Sequence, residues 1–247
     1  MDYFNIIPSD LNNIIISYLS SDELKILLGI LNIPNLNWNT INEYHFGSYL
    51  STNESGYLVR VSIESLRDEL NLNYTVDQLL DLKVLCLPRN QLTQLPPEIG
   101  NLINLQLLNL TSNKLTLVPL GIEKLINLQY LHLSGNKLMR VPKEIGNLIN
   151  LQELYLGNNQ LRQVPMEILN LINLQVLDLS SNKMTQIPPE IGNLTNLQYL
   201  NLSYNQLTQV PLEMGNLTNL QGLSLFSNQL TQIPPEIKNI SGIRIHE

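Results

Sequence analysis

The chain has 247 residues, of which 43% are hydrophobic and 14% charged, and its formal net charge is -7 with a pI near 5.0. This length and hydrophobic content suffice for one elongated domain with a small appendage, a better fit than two equal domains. The acidic balance and the lack of any Lys or Arg cluster exclude nucleic acid as an expected partner. The longest apolar stretch is too short for a membrane span, so no membrane association is expected either.

Residues 1–50 have an amphipathic pattern that predicts two short helices. Apolar residues of the first helix recur at i, i+3, i+4, i+7 and i+8, namely at Leu11, Ile14, Ile15, Tyr18 and Leu19. Pro8 stands where a first helical turn tolerates proline. A second helix is predicted from Ser20, which forms a capping-box pattern with Glu23, as far as Leu31. Two helices this short must pack on the rest of the chain or on another protein.

The same segment contains a recognisable motif. The stretch Ile7-Pro8-Ser-Asp-Leu-Asn-Asn-Ile-Ile-Ile-Ser-Tyr-Leu19, followed by Asp-Glu-Leu, resembles the opening of an F-box. The resemblance implies that this segment docks a Skp-type linker subunit of a cullin ubiquitin ligase while a repeat array behind it holds the substrate. The linker-facing residues that it implies are Ile7, Pro8, Leu11, Ile14, Ile15 and Leu19. The alternative is that the two helices only cap the domain that follows.

Residues 51–81 are predicted to form a helical cap and a half-repeat. Ile63, Leu66 and Leu70 form a helical stripe, and an apolar spacing that continues through the rest of the chain begins near Leu72. A stack of repeats needs a cover at each end, because no repeat can bury its own apolar face. We expect this segment to be the N-terminal cover.

Residues 82–242 repeat one pattern with a period of 23 residues. The pattern is Leu-x-x-Leu-x-Leu-x-x-Asn-x-Leu-x-x-Leu-Pro, and it restarts at Leu82, Leu105, Leu128, Leu151, Leu174, Leu197 and Leu220. The stretch resembles leucine-rich repeats of the Ras-suppressor and scribble type, including the phrase Pro-Pro-Glu-Ile-Gly-Asn-Leu. The resemblance implies an α/β fold, a leucine-rich repeat solenoid or horseshoe with a parallel concave sheet and a helical cap at its N-terminus.

Each repeat is predicted to have a strand, an inward turn and a convex segment. Leu85 and Leu87 alternate with Val84 and Cys86, so the leucines should point into the core. We expect the recurrent asparagines to satisfy buried backbone groups at the turn. These asparagines are Asn90, Asn113, Asn136, Asn159, Asn182, Asn205 and Asn228.

The convex segment carries a glutamate at one position of six repeats. A short helical turn is expected after each proline. The glutamates at its start are Glu98, Glu144, Glu167, Glu190, Glu213 and Glu236, and Gly121 interrupts the series. They are interpreted as favourable partners of a helical N-terminus, with an acidic docking strip as the alternative.

Residues 243–247 form the C-terminal edge of the array. A short eighth strand is expected near Ile243 to His246, with a thin and partly apolar cover. Self-association through this edge is therefore possible.

The outward strand positions are the candidate binding site. Aromatic anchors among polar neighbours suit protein recognition, although tyrosine also fits a half-exposed strand by propensity alone. The candidate residues on the concave face are Asn109, Tyr130, His132, Glu153, Tyr155, Asp178, Tyr199, Asn201, Tyr204 and Phe226.

The sequence offers little for catalysis. Cys86 stands at an outward strand position, and none of the three histidines has a metal-ligand spacing to a second His or Cys. A metal or acid–base site at His132, Glu153 and Asp178 is a distant alternative. We expect no enzyme, no catalytic residue, no metal and no cofactor.

The leading hypothesis is therefore an intracellular, cytoplasmic protein-binding module, with an F-box-type connection to a ubiquitin ligase. The second hypothesis is a stand-alone scaffold or inhibitor. The intracellular location is expected because the chain has a single cysteine and no basic leader.

Overall fold

The computed structural model describes residues 83–89, 92–95 and 97–246, together with the backbone of residues 13–16, 51–52 and 58–61. Across these residues the chain forms one continuous sheet. Its strands are β1 (Asn13–Ile16), β2 (Ser51–Thr52), β3 (Leu58–Val61), β4 (Val84–Cys86), β5 (Leu107–Asn109), β6 (Tyr130–His132), β7 (Glu153–Tyr155), β8 (Val176–Asp178), β9 (Tyr199–Asn201), β10 (Gly222–Ser224) and β11 (Arg244–His246).

The strand order follows the chain through the repeats. From one edge to the other the order is β11-β10-β9-β8-β7-β6-β5-β4-β1-β3-β2, and each neighbouring pair is parallel except β2 and β3. Strands β4 to β11 are therefore eight parallel strands, each hydrogen-bonded to the strand one repeat away. This is the parallel sheet that the 23-residue period predicts.

A leucine at the centre of each strand from β4 to β10 fixes the register. Leu108 pairs with Leu131, and Leu131 pairs with Leu154, so identical positions of successive repeats lie side by side. These leucines are fully buried, because alternation along a strand sends them all to one face. These leucines form one row of a continuous core, to which every repeat contributes several other buried apolar residues.

The convex segments are short turns of 3-10 helix, as the spacing of isoleucines and leucines predicts. Each begins directly after a proline and ends within five residues, and its central apolar residue, such as Ile145, is buried. The segments are Pro97–Asn101, Leu120–Lys124, Lys143–Asn147, Met166–Asn170, Pro189–Asn193 and Leu212–Asn216, and the seventh repeat has a four-residue α-helix, Pro235–Lys238. Glutamate stands in the first turn at five of the predicted places, beginning with Glu144.

Asparagines close the turns after β5 to β10, as predicted, and all of them except the half-buried Asn228 are buried. We define the asparagine ladder as Asn113, Asn136, Asn159, Asn182, Asn205 and Asn228; Asn90 lies outside the described residues. The amide of Asn159 donates to the carbonyl oxygens of Leu133 and Leu156 at 3.0 Å each, and its oxygen accepts from the N–H of Leu138 at 3.0 Å. One side chain thus satisfies backbone groups in two repeats, which is why the residue recurs.

The residue that follows the strand by three positions has a left-handed backbone in every repeat. Its φ angle lies between 51° and 70°. Only one of the seven residues is a glycine. The other six therefore adopt a backbone conformation that residues with a side chain usually avoid. The seven are Arg89, Ser112, Gly135, Asn158, Ser181, Tyr204 and Ser227.

The N-terminal prediction is wrong where the structure describes it. Asn13–Ile16, expected within a helix, forms β1, which pairs in parallel with β4 and with β3. Three consecutive isoleucines favour an extended backbone, and the open edge of β4 offers a ladder of hydrogen bonds that a helix could not use. Ile14 and Ile15 therefore lie in a strand.

Within residues 51–81, where a helical cap and a half-repeat are expected, residues 51–52 and 58–61 form the strands β2 and β3 instead of helix. The two β-branched valines of β3 favour an extended backbone, and β3 pairs in parallel with β1. The remaining predictions for residues 1–81, which concern Ile7, Pro8, Leu11, Leu19, the second helix and the rest of the cap, lie outside the described residues.

The eighth strand predicted near Ile243 to His246 is confirmed. The eighth repeat strand is β11, which pairs with β10 so that Leu223 lies beside Ile245. Arg244 and His246 are exposed, and Ile245 is half-buried against the core. β11 is the last strand of the sheet in the part of the chain that the structure describes.

Candidate binding surface

The candidate site lies on the face of the sheet away from the leucine core, which is the concave face. Two residues of each repeat strand lie on it, one on each side of the central leucine. Among the predicted residues, the first of these positions holds Tyr130, Glu153 and Tyr199, and the second holds Asn109, His132, Tyr155, Asp178 and Asn201. Tyr204 and Phe226 lie in the turns after β9 and β10.

Strands β6 and β7 bring three of the predicted residues into contact. The Tyr155 hydroxyl donates to Oε2 of Glu153 at 3.1 Å. The rings of Tyr155 and His132 meet edge to face, with centroids 4.6 Å apart. Nε2 of His132 is buried and has no hydrogen-bond partner among the residues that the structure describes. Burial lowers the pKa of His132 to about 4, so the imidazole is neutral at physiological pH.

The two carboxylates of the concave face are both partly desolvated. Burial raises the pKa of Glu153, and the hydrogen bond from Tyr155 acts in the opposite direction. Burial also raises the pKa of Asp178, against the bonds from Ser180. Each carboxylate would therefore gain from a cation that replaced the lost water.

Asp178 also has a local structural role, shared with two asparagines. Its Oδ1 accepts from the backbone N–H of Ser180 at 2.9 Å, two residues on. Asn109 and Asn201 make the same bond to the N–H groups two residues after them. These three predicted site residues thus stabilise the ends of their strands as well as facing the concave side. Gly157 leaves room for the Asp178 carboxylate, because a Cβ there would lie 2.8 Å from Oδ2.

The first two repeats differ from the rest. Val84, Cys86 and Leu107 occupy concave positions, yet they are buried and form a separate apolar cluster with Tyr130 against it. Burial raises the pKa of the Cys86 thiol to about 11, so the thiol stays protonated and is a poor nucleophile. The open part of the concave face therefore begins at β6.

Aromatic side chains lie at the other end of the concave face, on β9 and in the turns after β9 and β10. Tyr199 is 39% exposed, and its hydroxyl donates to Oε1 of Gln221 at 3.1 Å. Tyr204 is 54% exposed and meets Phe226 edge to face at 4.8 Å. Tyr204 holds the left-handed position of its repeat with a φ of 53°. A bulky residue there is a strained choice, which points to a use for its ring.

Within the described residues, no three His, Cys, Asp or Glu side chains lie close enough to hold a metal ion. The distant alternative of an acid–base site at His132, Glu153 and Asp178 gains no support, because His132 is desolvated and its Nε2 bonds to neither carboxylate. None of the helices in the described segments has the length and apolar character to cross a bilayer.

Sequence reasoning missed a second surface beside the strands. The triplet Asn-Leu-Gln recurs six times, starting at Asn104, and its polar residues line a groove of about 730 Å³. We call this the amide groove, lined by Gln106, Asn127, Gln129, Asn150, Gln152, Asn173, Gln175, Asn196, Gln198, Asn219 and Gln221. The regular recurrence of the Asn-Leu-Gln triplet is the sequence signal that could have indicated this groove.

Comparison with known families gives one match. Residues 58–160 and 154–245 match the family model described as the leucine-rich repeat region. Together the two matches span about three quarters of the chain. Comparison with curated proteins gives no match.

Solved structures with the same architecture include bacterial and plant proteins. A leucine-rich repeat protein of Leptospira interrogans is 46% identical, with a TM-score of 0.66, over 68% of this chain and 43% of that one. The ectodomain of the Arabidopsis thaliana receptor kinase GASSHO1/SCHENGEN3, in complex with Casparian Strip Integrity Factor 2, is 37% identical with a TM-score of 0.62, over 68% of this chain and 22% of that one.

A third structure is the plant peptide hormone receptor RGFR1 in complex with RGF2. It is 34% identical with a TM-score of 0.63, over 69% of this chain and 29% of that one. The chain thus spans less than half the length of each of these three proteins.

Proposed function

Because the chain belongs to the leucine-rich repeat family, we propose that it is a protein-binding module whose concave face, from β6 to β10, holds an extended peptide segment. The observation that carries the proposal is the half-buried cluster of His132, Tyr155 and Glu153, with Asp178 on the next strand. Half-buried aromatic and carboxylate side chains suit recognition, because a partner can cover the rings and supply a cation in place of the water that the carboxylates have lost. Leucine-rich repeat proteins are typically interaction scaffolds rather than enzymes.

The charge of the face indicates the chemistry of the partner. Over β6 to β10 the two concave positions of the strands contain Glu153 and Asp178 and no Lys or Arg. Both carboxylates have raised pKa values because of desolvation. A Lys or Arg side chain of the partner would pair with them, while the surrounding tyrosines cover its apolar stem. The partner is therefore a peptide with a basic residue next to apolar ones.

Two of the structural neighbours have a ligand bound, and one of them is a peptide hormone receptor. The RGFR1 structure is that of a peptide hormone receptor with RGF2 bound, and the GASSHO1/SCHENGEN3 ectodomain is in complex with Casparian Strip Integrity Factor 2. Each is similar to this chain over about two thirds of its residues.

Selection from a random peptide library tests the proposal. The full chain is immobilised, and the dissociation constants of the selected peptides are measured by fluorescence anisotropy. We expect the peptides to contain Lys or Arg beside an apolar residue. The double variant Glu153→Gln/Asp178→Asn should bind them about tenfold more weakly or worse, because it removes both partners of the cation. Asparagine already occupies the Asp178 position in two other repeats, so the fold should tolerate it.

The matched control removes two charges elsewhere. Glu190 and Glu236 are exposed in the convex turns, so Glu190→Gln/Glu236→Gln changes the net charge equally and leaves the concave face intact. Equal weakening in both double variants, or none in either, would contradict a concave cation site.

An F-box-type substrate adaptor is the finer alternative. It is supported by the resemblance of residues 7–24 to the opening of an F-box, and β1 opposes it because Ile14 and Ile15 lie in a strand rather than a docking helix. A pull-down with a Skp-type linker protein tests this alternative. The adaptor role requires that the full chain captures the linker and that capture is lost when Leu11, Ile14 and Ile15 are changed to Asp. Without capture by the unmodified chain, the protein is a stand-alone scaffold or inhibitor.

Two further expectations are retained as proposals. A cytoplasmic location is supported by the single cysteine, which is buried and unpaired, and fractionation of the native cell tests it. Self-association through β11 is supported by its place at the end of the sheet in the described segments. Light scattering over a range of concentrations would detect it.

A further inference from the structure

The amide groove runs beside the strands, and its floor is rigid. The backbone N–H of each glutamine from Gln129 to Gln221 donates to the carbonyl oxygen of the glutamine one repeat earlier at 2.7 to 2.8 Å. Successive glutamines are therefore about 4.8 Å apart, the spacing of neighbouring strands in a sheet. The leucine between each Asn and Gln is buried, which holds the triplet in place.

The asparagines of the groove have fixed orientations. Their amide nitrogens donate to the carbonyl oxygens of Ile103, Ile126, Ile149, Ile172 and Thr195 at 2.8 to 2.9 Å. The five donors are Asn127, Asn150, Asn173, Asn196 and Asn219. In the described part of the chain, no hydrogen bond uses the side-chain oxygens of these five residues. The groove thus presents a regular row of acceptors.

The glutamines are the uncommitted groups. Gln129, Gln152, Gln175 and Gln198 are half-buried, and within the described residues their side chains make no hydrogen bond; Gln221 accepts one, from Tyr199. Each amide can donate two hydrogen bonds and accept two. Partly desolvated amides gain from a ligand that replaces water with well-placed donors and acceptors.

The lining excludes several ligand classes. None of the eleven side chains is charged, so phosphate groups and metal ions have no counter-charge or suitable ligand set. The isoleucines whose carbonyls bind the groove asparagines, at positions 103, 126, 149 and 172, are themselves exposed, so apolar side chains are available next to the amides. The ligand must be uncharged, rich in hydrogen-bonding groups, and apolar on one side.

The spacing separates a glycan from a peptide. An extended peptide advances by about 3.3 to 3.4 Å per residue, so its groups fall out of step with amides spaced at about 4.8 Å. A sugar unit in an extended chain is close to the amide spacing in length. It also offers hydroxyls at its edge and C–H groups on its faces.

An aromatic platform lies next to the groove. The ring of Tyr199 lies over Gly222, where a Cβ would come within 2.9 Å of its Cδ1, and its hydroxyl reaches Gln221. An exposed ring beside a row of amides offers both a stacking face and hydrogen bonds, the combination that a pyranose can use. We propose that the amide groove is a second binding site, which takes a linear uncharged glycan at about one sugar unit per repeat.

Titration of the full chain with cellohexaose, chitohexaose and mannohexaose, followed by calorimetry, tests this site. We expect at least one of the three to bind. The double variant Gln152→Ala/Gln175→Ala should bind it about tenfold to a hundredfold more weakly, because it removes two central amides. These side chains make no hydrogen bonds within the described residues, so the variant should fold normally.

The control is Gln186→Ala/Gln209→Ala, which removes two exposed glutamines outside the groove and should leave binding unchanged. Glu153→Gln/Asp178→Asn should also leave it unchanged, which separates this site from the concave face. The proposal is overturned if no hexasaccharide binds in the millimolar range or if the groove variant binds as well as the wild type. It is also overturned if an uncharged serine–glycine peptide of equal length displaces the sugar from the groove.

Discussion

The asparagine ladder and the asparagines of the amide groove use one side chain in two different ways. Both recur every 23 residues, and in both the amide nitrogen donates to a backbone carbonyl of the preceding repeat. Asn159 of the ladder is only 7% exposed and makes four hydrogen bonds through both ends of its amide. Asn173 of the groove is exposed and makes one.

The difference shows that strict repetition does not separate a structural residue from a surface one. Burial does so, because an unsatisfied group inside the protein costs the full loss of its hydration, whereas an exposed group returns to water. The concave face lies between these extremes, with half-buried groups that are only partly satisfied. We therefore expect the loss of stability on substitution to be largest in the asparagine ladder, smaller on the concave face and smallest in the amide groove.

The largest effect is expected for Asn159→Ala. The change leaves the N–H of Leu138 and part of the bonding capacity of the Leu133 and Leu156 carbonyls unsatisfied in the core. We expect the free energy of unfolding to fall by about 3 to 5 kcal/mol, measured by urea denaturation. A loss below about 1 kcal/mol would show that water reaches the ladder and that the contrast with the groove is unfounded.

His132 gives the next largest effect, as a dependence of stability on pH. Burial lowers its pKa in the folded state to about 4, below the 6.5 of the unfolded chain. Above pH 6.5 both states are neutral and nothing is lost. As the pH falls from 6.5 towards 4, only the unfolded state takes up the proton, so folding becomes less stable, by about 2 to 3 kcal/mol at pH 4.5.

The variant His132→Asn isolates this effect. Asparagine occupies the same strand position in β5 and β9, so the sheet should accept it. Glu153 and Asp178 have raised pKa values and titrate in the opposite sense, but they remain in both proteins. The wild type should therefore lose more stability than the variant between pH 7 and pH 4.5 in urea titrations. Parallel pH profiles would mean that His132 is hydrated.

The solenoid is predictable from sequence because every repeat has the same apolar pattern and must bury it in the same way. Leu85 and Leu87 alternate with outward residues in the first repeat, and seven copies in step leave only one arrangement that buries every leucine. The recurrent asparagine likewise has one buried location that satisfies it. The segment at Asn13–Ile16 appears once, so its helical spacing had no repetition to support it, and the β-branched residues and the edge of β4 prevailed.

The site was less predictable. The outward positions of the strands follow from the alternation, so Tyr130, His132 and Glu153 could be placed on the concave face. The alternation does not show how far such a residue is buried, because burial depends on its neighbours in adjacent repeats. Val84 and Leu107 occupy outward positions and are nevertheless buried in an apolar cluster. The left-handed position has no sequence signal, because Arg, Ser, Gly, Asn and Tyr all occur there. Hydrogen bonds on both sides enforce the backbone, and each residue tolerates the strain.

Tyr204 tests whether an exposed aromatic serves binding or folding. Changing it to Asn, the residue of the fourth repeat at this position, relieves the left-handed strain but removes the contact with Phe226. These terms are each about 1 kcal/mol and opposite in sign, so the free energy of unfolding should change by less than about 0.5 kcal/mol. Affinity for the selected peptides should fall by about tenfold if the ring is an anchor. A large loss of stability with unchanged affinity would assign the ring to folding.

The smallest effect on stability is expected for Asn173→Ala, which completes the comparison with Asn159. The variant loses one exposed hydrogen bond, that of Asn173 to the carbonyl oxygen of Ile149, and water can replace the amide there. We expect the free energy of unfolding to change by less than about 0.5 kcal/mol in urea denaturation. Affinity for the bound hexasaccharide should nevertheless decrease, because Asn173 lines the groove and belongs to the same triplet as Gln175. If Asn173→Ala were as destabilising as Asn159→Ala, the groove asparagines would be structural and their regular spacing would need no ligand to explain it.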